Sequence, residues 1–186
     1  MAWRAQINVL SDFIAPKGVE DYIGLFAVTG GLGTEKIEKR FADDNDDYSG
    51  IMFKSLADRL AEAFAEYMHE RVRTDLWGYA SREKLAVDAL IKEQYQGIRP
   101  APGYPACPDH TVKPDMFHLL QCDEIGMTLT ESFAMLPAAA VSGFYFAHKD
   151  AKYFSVDKIG IDQLEDMAKR RELPKDYLER WLSPNL

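Results

Sequence analysis

The feature that most constrains the fold of this chain is a run of thirteen residues, 99–111, with the sequence RPAPGYPACPDHT. Proline fixes its own φ, lacks an amide donor and disfavours helical geometry in the residue before it. A run with four prolines therefore cannot form a helix or a central strand. Gly103 permits a turn or a close approach to a ligand. The sequence thus predicts a stiff, shaped loop that has little conformational entropy left to lose.

Two side chains of this loop, Arg99 and Tyr104, suit a small anionic or aromatic ligand. A guanidinium binds a carboxylate through two parallel hydrogen bonds, and a phenol ring offers a flat face. The alternative is that the loop merely connects two helices. Spacing alone does not distinguish the two interpretations.

Composition and charge exclude several classes of protein. The chain has 186 residues, enough for one domain with a substantial core. A net charge of −8, with no basic run interleaved with aromatic residues, argues against nucleic-acid binding. The longest apolar stretch, near 137–147, is too short to cross a bilayer, and no signal-peptide pattern begins the sequence, so we expect a cytoplasmic protein without a membrane partner. Cys107 and Cys122 are expected to be free thiols.

The first half of the chain is predicted to contain a hairpin and two helices. Residues 7–15 and 22–29 are expected to pair as antiparallel strands around the turn at 16–18. Thr34 is expected to cap a helix of about ten residues. Apolar residues then recur at spacings of three and four over 48–76, which predicts a long helix with one buried face. The members of that face are Met52, Leu56, Leu60, Phe64, Tyr67, Met68, Val72 and Leu76.

In the second half of the chain, the predicted strands and helices follow one another in no regular order. Because strands occur in groups and no strand–helix repeat appears, the fold class is predicted to be α+β, in a single domain over 1–186. The predicted helices cover 82–94, capped by Ser81, then 114–125, 163–171 and 175–182, and the predicted strands cover 127–135, 140–148 and 153–159.

The loop sequence and six further segments resemble the activation domain of cobalamin-dependent methionine synthase, which binds S-adenosylmethionine. The resemblance implies a curved antiparallel sheet flanked by helices in a C or helmet shape. Relative to the family, the pattern is shortened at its N-terminal end, where an acidic residue contributes to ligand binding. The segments occur in the family's order between Asp12 and the end, at 56–66, 77–79, 95–98, 129–135, 141–143 and 179–182.

The resemblance implies roles for four residues of the loop. Arg99 is implied to bind the carboxylate of S-adenosylmethionine, because the family's loop arginine has that role and a guanidinium fixes direction. Backbone groups around Ala101 and Gly103 are implied to line the ligand, and Tyr104 to stack or hydrogen-bond beside it. The alternatives are a surface salt bridge for Arg99 and simple packing for Tyr104.

Three further residues complete the implied site. Tyr153 and Phe154 match a tyrosine–aromatic pair that reaches the nucleoside end of the ligand. Because neighbours on a strand point to opposite faces, we expect a side-chain contact from Tyr153 and main-chain or packing duty from Phe154. Glu62 is a candidate ligand contact or the partner of Arg59 in an exposed pair on the same helix. Glu93 is similarly ambiguous.

The implied function is to bind S-adenosylmethionine and present its methyl group to reduced cobalamin, which reactivates methionine synthase after a one-electron reductant, commonly a flavodoxin, has rescued the oxidised cofactor. The chain would contribute orientation, and no catalytic residue of its own is expected. It lacks D-x-H-x-x-G, the family's cobalamin-ligating motif, so cobalamin is expected only through a partner corrinoid domain. The alternative is a docking module for a corrinoid protein or reductase that has lost the ligand.

Other patterns in the sequence are weaker. Cys107 with His110 and His118 with Cys122 have spacings that suit zinc, but structural zinc sites usually pair C-x-x-C motifs, and we predict no metal. Glycines at 30, 31 and 33 do not match a dinucleotide-binding loop. The basic run 169–171 either faces an acidic electron donor or is a solvated helix end.

Overall fold

The computed structural model describes residues 9–186. These residues form two compact units. Unit 1 contains residues 9–24, 96–112 and 144–186, and unit 2 contains residues 25–95 and 113–143. Helices and two small two-stranded sheets make up the regular structure, so the α+β prediction is confirmed.

The helices and strands follow one another in an irregular order. Strands β1 and β4 form one sheet, and β2 pairs antiparallel with β3 in the other. The strands are β1 (Gly24–Thr29), β2 (Thr128–Leu129), β3 (Met135–Leu136) and β4 (Ala140–Tyr145), and the helices are α1 (Glu35–Asp43), α2 (Asp47–Arg71), α3 (Val87–Ile91), α4 (Lys113–Leu119), α5 (Ile161–Arg171) and α6 (Lys175–Leu182).

The predicted N-terminal hairpin is wrong. Its second strand exists as β1, but β1 pairs with β4, and the described residues 9–15 form no strand. Residues 7 and 8 lie outside the described part of the chain, and Leu10–Phe13 form a 3-10 turn. The carboxylate of Asp12 accepts a hydrogen bond of 3.0 Å from the amide of Val9. Such local side-chain bonds compete with strand pairing.

The prediction of a long helix is confirmed by α2, which continues into a π-helical turn over Val72–Leu76. Asp46 caps its N-terminus by accepting a bond of 3.0 Å from the amide of Ser49. Backbone and side-chain hydrogen bonds from Ser49 hold the pKa of Asp46 below its ordinary value.

The predicted buried face of α2 is largely wrong. The residues buried on α2 are Ala57, Ala61, Ala65 and His69, whereas most of the large apolar side chains are exposed. A Cβ added at Gly30 would lie 2.8 Å from the carbonyl oxygen of Ala57. The chain after β1 therefore passes so close to this side of α2 that large side chains do not fit between them. Close backbone packing selects small side chains at this face.

Two predicted helices are shorter than expected. Only Val87–Ile91 is helical within 82–94, because Glu83 is turned toward Arg73 and binds its guanidinium. Within 114–125, α4 ends at Leu119 and a 3-10 turn covers Cys122–Ile125. Gln121, with φ of 51°, breaks the helix between them. The helices α1, α5 and α6 agree with prediction.

Two predicted strands also differ. Residues 127–135 contain β2, a turn and the first residue of β3 in place of a single strand. Residues 153–159 carry no strand, because their amides bond elsewhere. Val156 N–H donates to the carbonyl of Pro105 at 2.8 Å, and Ile159 N–H donates to the carbonyl of Asn185 at 2.7 Å. The strand predicted over 140–148 is confirmed as β4.

Each unit has its own apolar core. In unit 1, α5 and α6 pack together through Leu164, Ala168, Leu178 and Leu182. In unit 2, Phe117, Cys122 and Met127 form a buried cluster. None of the helices formed by residues 9–186 combines the length and the hydropathy that crossing a bilayer requires.

Candidate functional site

The proline-rich run 99–111 is a loop whose entrance lies along the end of β4. Ile98 and Phe146 exchange two backbone hydrogen bonds of 3.0 Å. The amide of Phe144 donates to the carbonyl of Pro100, also at 3.0 Å. Proline cannot donate, but its carbonyl still accepts, so the loop is anchored to the strand through the one polar group that proline retains. The prediction of a shaped loop is confirmed.

The tip of the loop is a tight turn at Gly103. Gly103 has φ of 95°, and its amide donates to the carbonyl of Cys107 at 2.7 Å. The amide of Cys107 donates back to the carbonyl of Tyr104 at 2.9 Å. A Cβ added at position 103 would lie 2.2 Å from Cε1 of His110. Both the backbone angle and the adjacent ring therefore require glycine here.

The four candidate residues of the loop differ in exposure. Gly103 is exposed, and the side chain of Tyr104 is 59% exposed. Arg99 and Ala101 are half-buried. Pro100, between Arg99 and Ala101, is buried and fixes the backbone. The loop thus presents a phenol ring and bare backbone at its tip, with a guanidinium at its base.

Tyr153 is brought to the base of the same loop. Its hydroxyl accepts a hydrogen bond of 3.1 Å from the amide of Arg99, and the residue is 41% exposed. Phe154 points elsewhere and packs against Phe13, with ring centroids 6.4 Å apart. Six of the seven candidate residues therefore lie in unit 1. Glu62 is exposed on α2, in unit 2.

Arg171, at the end of α5, holds the far end of the loop. Its Nη1 donates to Oδ2 of Asp109 at 2.5 Å and to the hydroxyl of Thr111, and its Nη2 donates to the carbonyl of Thr111 at 3.1 Å. Asp109 is buried, and its other oxygen accepts from the amide of Thr111 at 2.7 Å. No local sequence pattern indicates this contact, because residue 171 lies 62 positions from residue 109.

The thiol of Cys107 is protected inside the turn. Burial, and to a lesser degree the carboxylate of Asp109, raises the pKa of Cys107 from 9.0 to about 12. Burial also raises the pKa of the Cys122 thiol. Both cysteines are free, and both stay protonated at neutral pH.

A second polar cluster, which the sequence analysis missed, lies at the end of α2. Arg73 is fully buried, and its Nε and Nη2 donate to Oε1 of Glu83 at 3.0 and 2.8 Å. The guanidinium also lies over the ring of Tyr95, 3.9 Å from its centroid. Nε2 of His69 is 3.3 Å from the hydroxyl of Tyr79, whose pKa is raised to about 12 by burial. Through Arg73, the cluster joins the π-helical turn to Glu83 and to Tyr95.

Two concave regions lie away from the loop. One cavity of about 230 Å³ lies between α1 and α2, and another of about 380 Å³ lies beside the end of α4. Neither is lined by a candidate residue. Within residues 9–186, no group of three or more His, Cys, Asp or Glu side chains is arranged to hold a metal ion.

The α+β fold of this chain matches that of a reactivation domain of methionine synthase. A solved structure described as "Crystal Structure of the MetH Reactivation Domain bound to AdoHcy" matches this chain with a TM-score of 0.92 and 58% sequence identity, over 95% of this chain and 55% of that chain. The chain therefore spans little more than half the length of that relative.

The family comparison agrees with the structural one. The model of the family "Vitamin B12 dependent methionine synthase, activation domain" matches residues 3–172. This chain belongs to that family. The resemblance stated from the sequence is confirmed, whereas the contribution of each candidate residue to a ligand site stays a prediction.

Proposed function

We propose that this chain binds S-adenosylmethionine through the 99–111 loop and presents its methyl group to reduced cobalamin for reductive reactivation of cobalamin-dependent methionine synthase. The observation that carries the proposal is the match to a 58% identical reactivation domain whose description states that AdoHcy is bound. S-adenosylhomocysteine is what remains of S-adenosylmethionine after methyl transfer. A site for one is therefore close in shape to a site for the other.

The loop residues are proposed to hold the amino-acid end and the sulfonium region. Arg99 would bind the carboxylate, since a guanidinium offers two parallel donors. The exposed backbone at Gly103 and the half-buried Ala101 would line the ligand. Tyr104, whose ring is exposed, would place an electron-rich face beside the positively charged sulfur.

The remaining candidates are proposed to act at a greater distance from the methyl group. Tyr153 would position Arg99, because its hydroxyl already accepts from the Arg99 amide, and would contact the nucleoside with its ring. Phe154 would support this segment by packing on Phe13. Glu62 is proposed as a ligand contact contributed by α2.

Methyl transfer breaks the bond between the sulfonium and its methyl carbon and leaves the electron pair on sulfur. The corrinoid, held by a partner domain, supplies the nucleophile that takes the methyl group. The residues of this chain would bind and orient the donor, which raises the effective concentration of the reacting pair. A corrinoid domain, a flavodoxin-like reductant and a cytoplasmic setting belong to the same proposal.

Calorimetric titration with S-adenosylmethionine and with S-adenosylhomocysteine tests the proposal. We expect saturable heat with both compounds and at least a tenfold loss of affinity in Arg99→Ala. Arg170→Ala is the matched control, because Arg170 is an exposed arginine that pairs only locally with Asp166 among the contacts described. An absence of heat with either compound would favour the ligand-free docking module instead.

A second measurement addresses the corrinoid partner. Adding a purified corrinoid domain of methionine synthase to this chain should change the visible spectrum of the cobalamin if the two associate at the cofactor. Unchanged spectra at high concentrations of both proteins would contradict the proposed partner, even if S-adenosylmethionine binds.

A further inference from the structure

One side of α2 carries a row of large apolar side chains that the other residues in the described range 9–186 leave exposed. Their exposed fractions lie between 43% and 76%. We call this row the outer face of α2. It consists of Tyr48, Met52, Leu56, Leu60, Phe64 and Tyr67.

The outer face is long and continuous. Its members follow one another at spacings of three or four over a length of about 28 Å, and the five from Met52 to Tyr67 fall within an arc of about 120° around the helix. With six such side chains about half exposed, the patch is on the order of 500 Å², near the upper limit for a monomeric protein. A surface of this length fits a polypeptide better than a small ligand.

A second side of α2 is already used inside unit 2. Ala57, Ala61 and Ala65 are buried there, and the chain at Gly30 approaches so closely that a Cβ would lie 3.1 Å from the amide nitrogen of Ala61. The helix therefore carries two apolar stripes whose centres lie about 140° apart around its axis, with Leu60 at the border nearest Gly30. A helix with this pattern is typical of an element that is covered on both sides.

The solved relative contains a large amount of polypeptide that this chain does not match. This chain matches that reactivation domain closely, with a TM-score of 0.92, yet it accounts for only 55% of that chain. The relative thus has a large additional stretch of polypeptide beyond a fold that is otherwise shared. We propose that the outer face of α2 binds a polypeptide segment equivalent to this unmatched stretch. The bound segment would contribute an elongated apolar surface that packs against the outer face.

The inference does not depend on ligand binding by the 99–111 loop. Glu62, the only candidate ligand residue on α2, lies six positions from Leu56, about 120° around the helix. Substitutions on the outer face therefore leave the candidate residues in place. Failure of this proposal and failure of the proposed function are read out by different measurements.

Co-expression tests the proposal directly. The 186-residue chain, tagged, is produced together with the unmatched stretch of the solved relative, and the amount that co-purifies is measured. We expect a one-to-one complex with the unaltered chain and at least a tenfold loss in Leu56→Glu and Leu60→Glu. Asp58→Lys is the matched control, because Asp58 is exposed on the same helix about 160° from both Leu56 and Leu60. It should retain the complex.

Two results would overturn the proposal. One is that the unmatched stretch does not co-purify with the unaltered chain. The other is that sedimentation equilibrium shows a dimer of this chain that Leu60→Glu dissociates, which would assign the outer face to a second copy. If circular dichroism shows that the glutamate variants lose helix, a photo-crosslinking residue placed at position 60 replaces them. Crosslinks to the unmatched stretch support the proposal, and crosslinks to a second copy, or none, contradict it.

Discussion

Gly103 occupies a position where both the backbone and the neighbouring ring exclude a side chain. Its φ of 95° is in the left-handed region, and a Cβ would meet the His110 ring at 2.2 Å. Gly103→Ala is therefore expected to lower the free energy of unfolding by about 3 kcal/mol. Chemical denaturation measures the change.

Gly18 provides a control for the backbone term alone. Its φ is 99°, almost the same as at position 103, but no heavy atom outside its own chain neighbours would lie within 4 Å of an added Cβ. Gly18→Ala is expected to cost about 1 kcal/mol, from backbone strain only. Equal losses in the two variants would show that the His110 ring moves aside freely, and the steric part of the argument would then be wrong.

The buried thiol of Cys107 makes stability depend on pH. Its pKa is about 12 in the folded chain against an ordinary 9.0, so the folded state keeps a proton that the unfolded state releases. The contribution of this group is fully present below pH 9 and is lost as pH rises toward 12. We expect unfolding free energy to fall over that window, and the fall to be smaller in Cys107→Ala.

The raised pKa of the folded Cys107 also predicts that its thiol is protected from alkylation. At pH 9 the thiolate fraction of the folded Cys107 is lower by roughly 500-fold than that of an ordinary thiol. Alkylation by iodoacetamide, followed at this residue by mass spectrometry, should be at least 100-fold slower in the native chain than in urea. Comparable rates in the two states would contradict the protected position.

At the scale of whole elements, local sequence patterns predict which segments are helical, but contacts with distant residues decide which side of a helix is buried. The helix α2 could be predicted because spacings of three and four are a local property. Its buried face could not, because burial depends on the approach of Gly30 from another part of the chain. Sequence shows that residues such as Leu60 are apolar, but it does not show which apolar side has a partner within this chain.

Strand pairing illustrates the same limit. β1 has the expected residues, yet its partner β4 begins at Ala140, far beyond any turn that a local pattern could reveal. Residues 153–159 have strand-like composition, but the amides of Val156 and Ile159 donate to the carbonyls of Pro105 and Asn185. β propensity describes a suitable surface and does not specify its neighbour.

The buried alanines of α2 allow a test of whether this side of the helix is closely packed. Ala65 has no exposed surface, and a larger side chain there would separate α2 from its neighbours in unit 2. Ala65→Leu is expected to lower the unfolding free energy by about 2 kcal/mol through overpacking. Ala63→Leu, at an exposed position of the same helix, should change it by less than about 0.5 kcal/mol, and thermal or urea denaturation compares the two.

The outcome of this comparison separates two explanations of the alanine pattern. If Ala65→Leu were as stable as Ala63→Leu, the alanines would reflect helix propensity and not close packing. A loss confined to Ala65 supports the packing explanation and the assignment of the outer face as the side still available to a partner.

At the scale of the whole molecule, the candidate site could be predicted from resemblance but its construction could not. The loop sequence identifies Arg99 and Tyr104 as candidates. That the amide of Arg99 meets the hydroxyl of Tyr153, 54 positions away, is a product of the fold. For the basic run at 169–171, the sequence predicts either a surface that faces an acidic electron donor or a solvated helix end, whereas Arg171 binds Asp109 of the loop.

Unit 1 consists of three separate stretches of chain, so its loop is only as rigid as the contacts that join them. Arg171 makes the polar part of one such contact, to a buried carboxylate and to the backbone of Thr111. Removing its guanidinium would leave Asp109 charged and without its cation inside the unit, which is more destabilising than the loss of an exposed pair.

Arg171→Ala is therefore expected to lower the unfolding free energy by about 2 kcal/mol and to increase amide hydrogen exchange across residues 103–112 by at least tenfold. The adjacent Arg170 is the control, since its ion pair with Asp166 is largely exposed and contributes little. Arg170→Ala should leave both measurements unchanged. If exchange in the loop rose equally in the two variants, or in neither, the loop would owe its order to its prolines and to the end of β4 alone, and the guanidinium of residue 171 would have no positioning role.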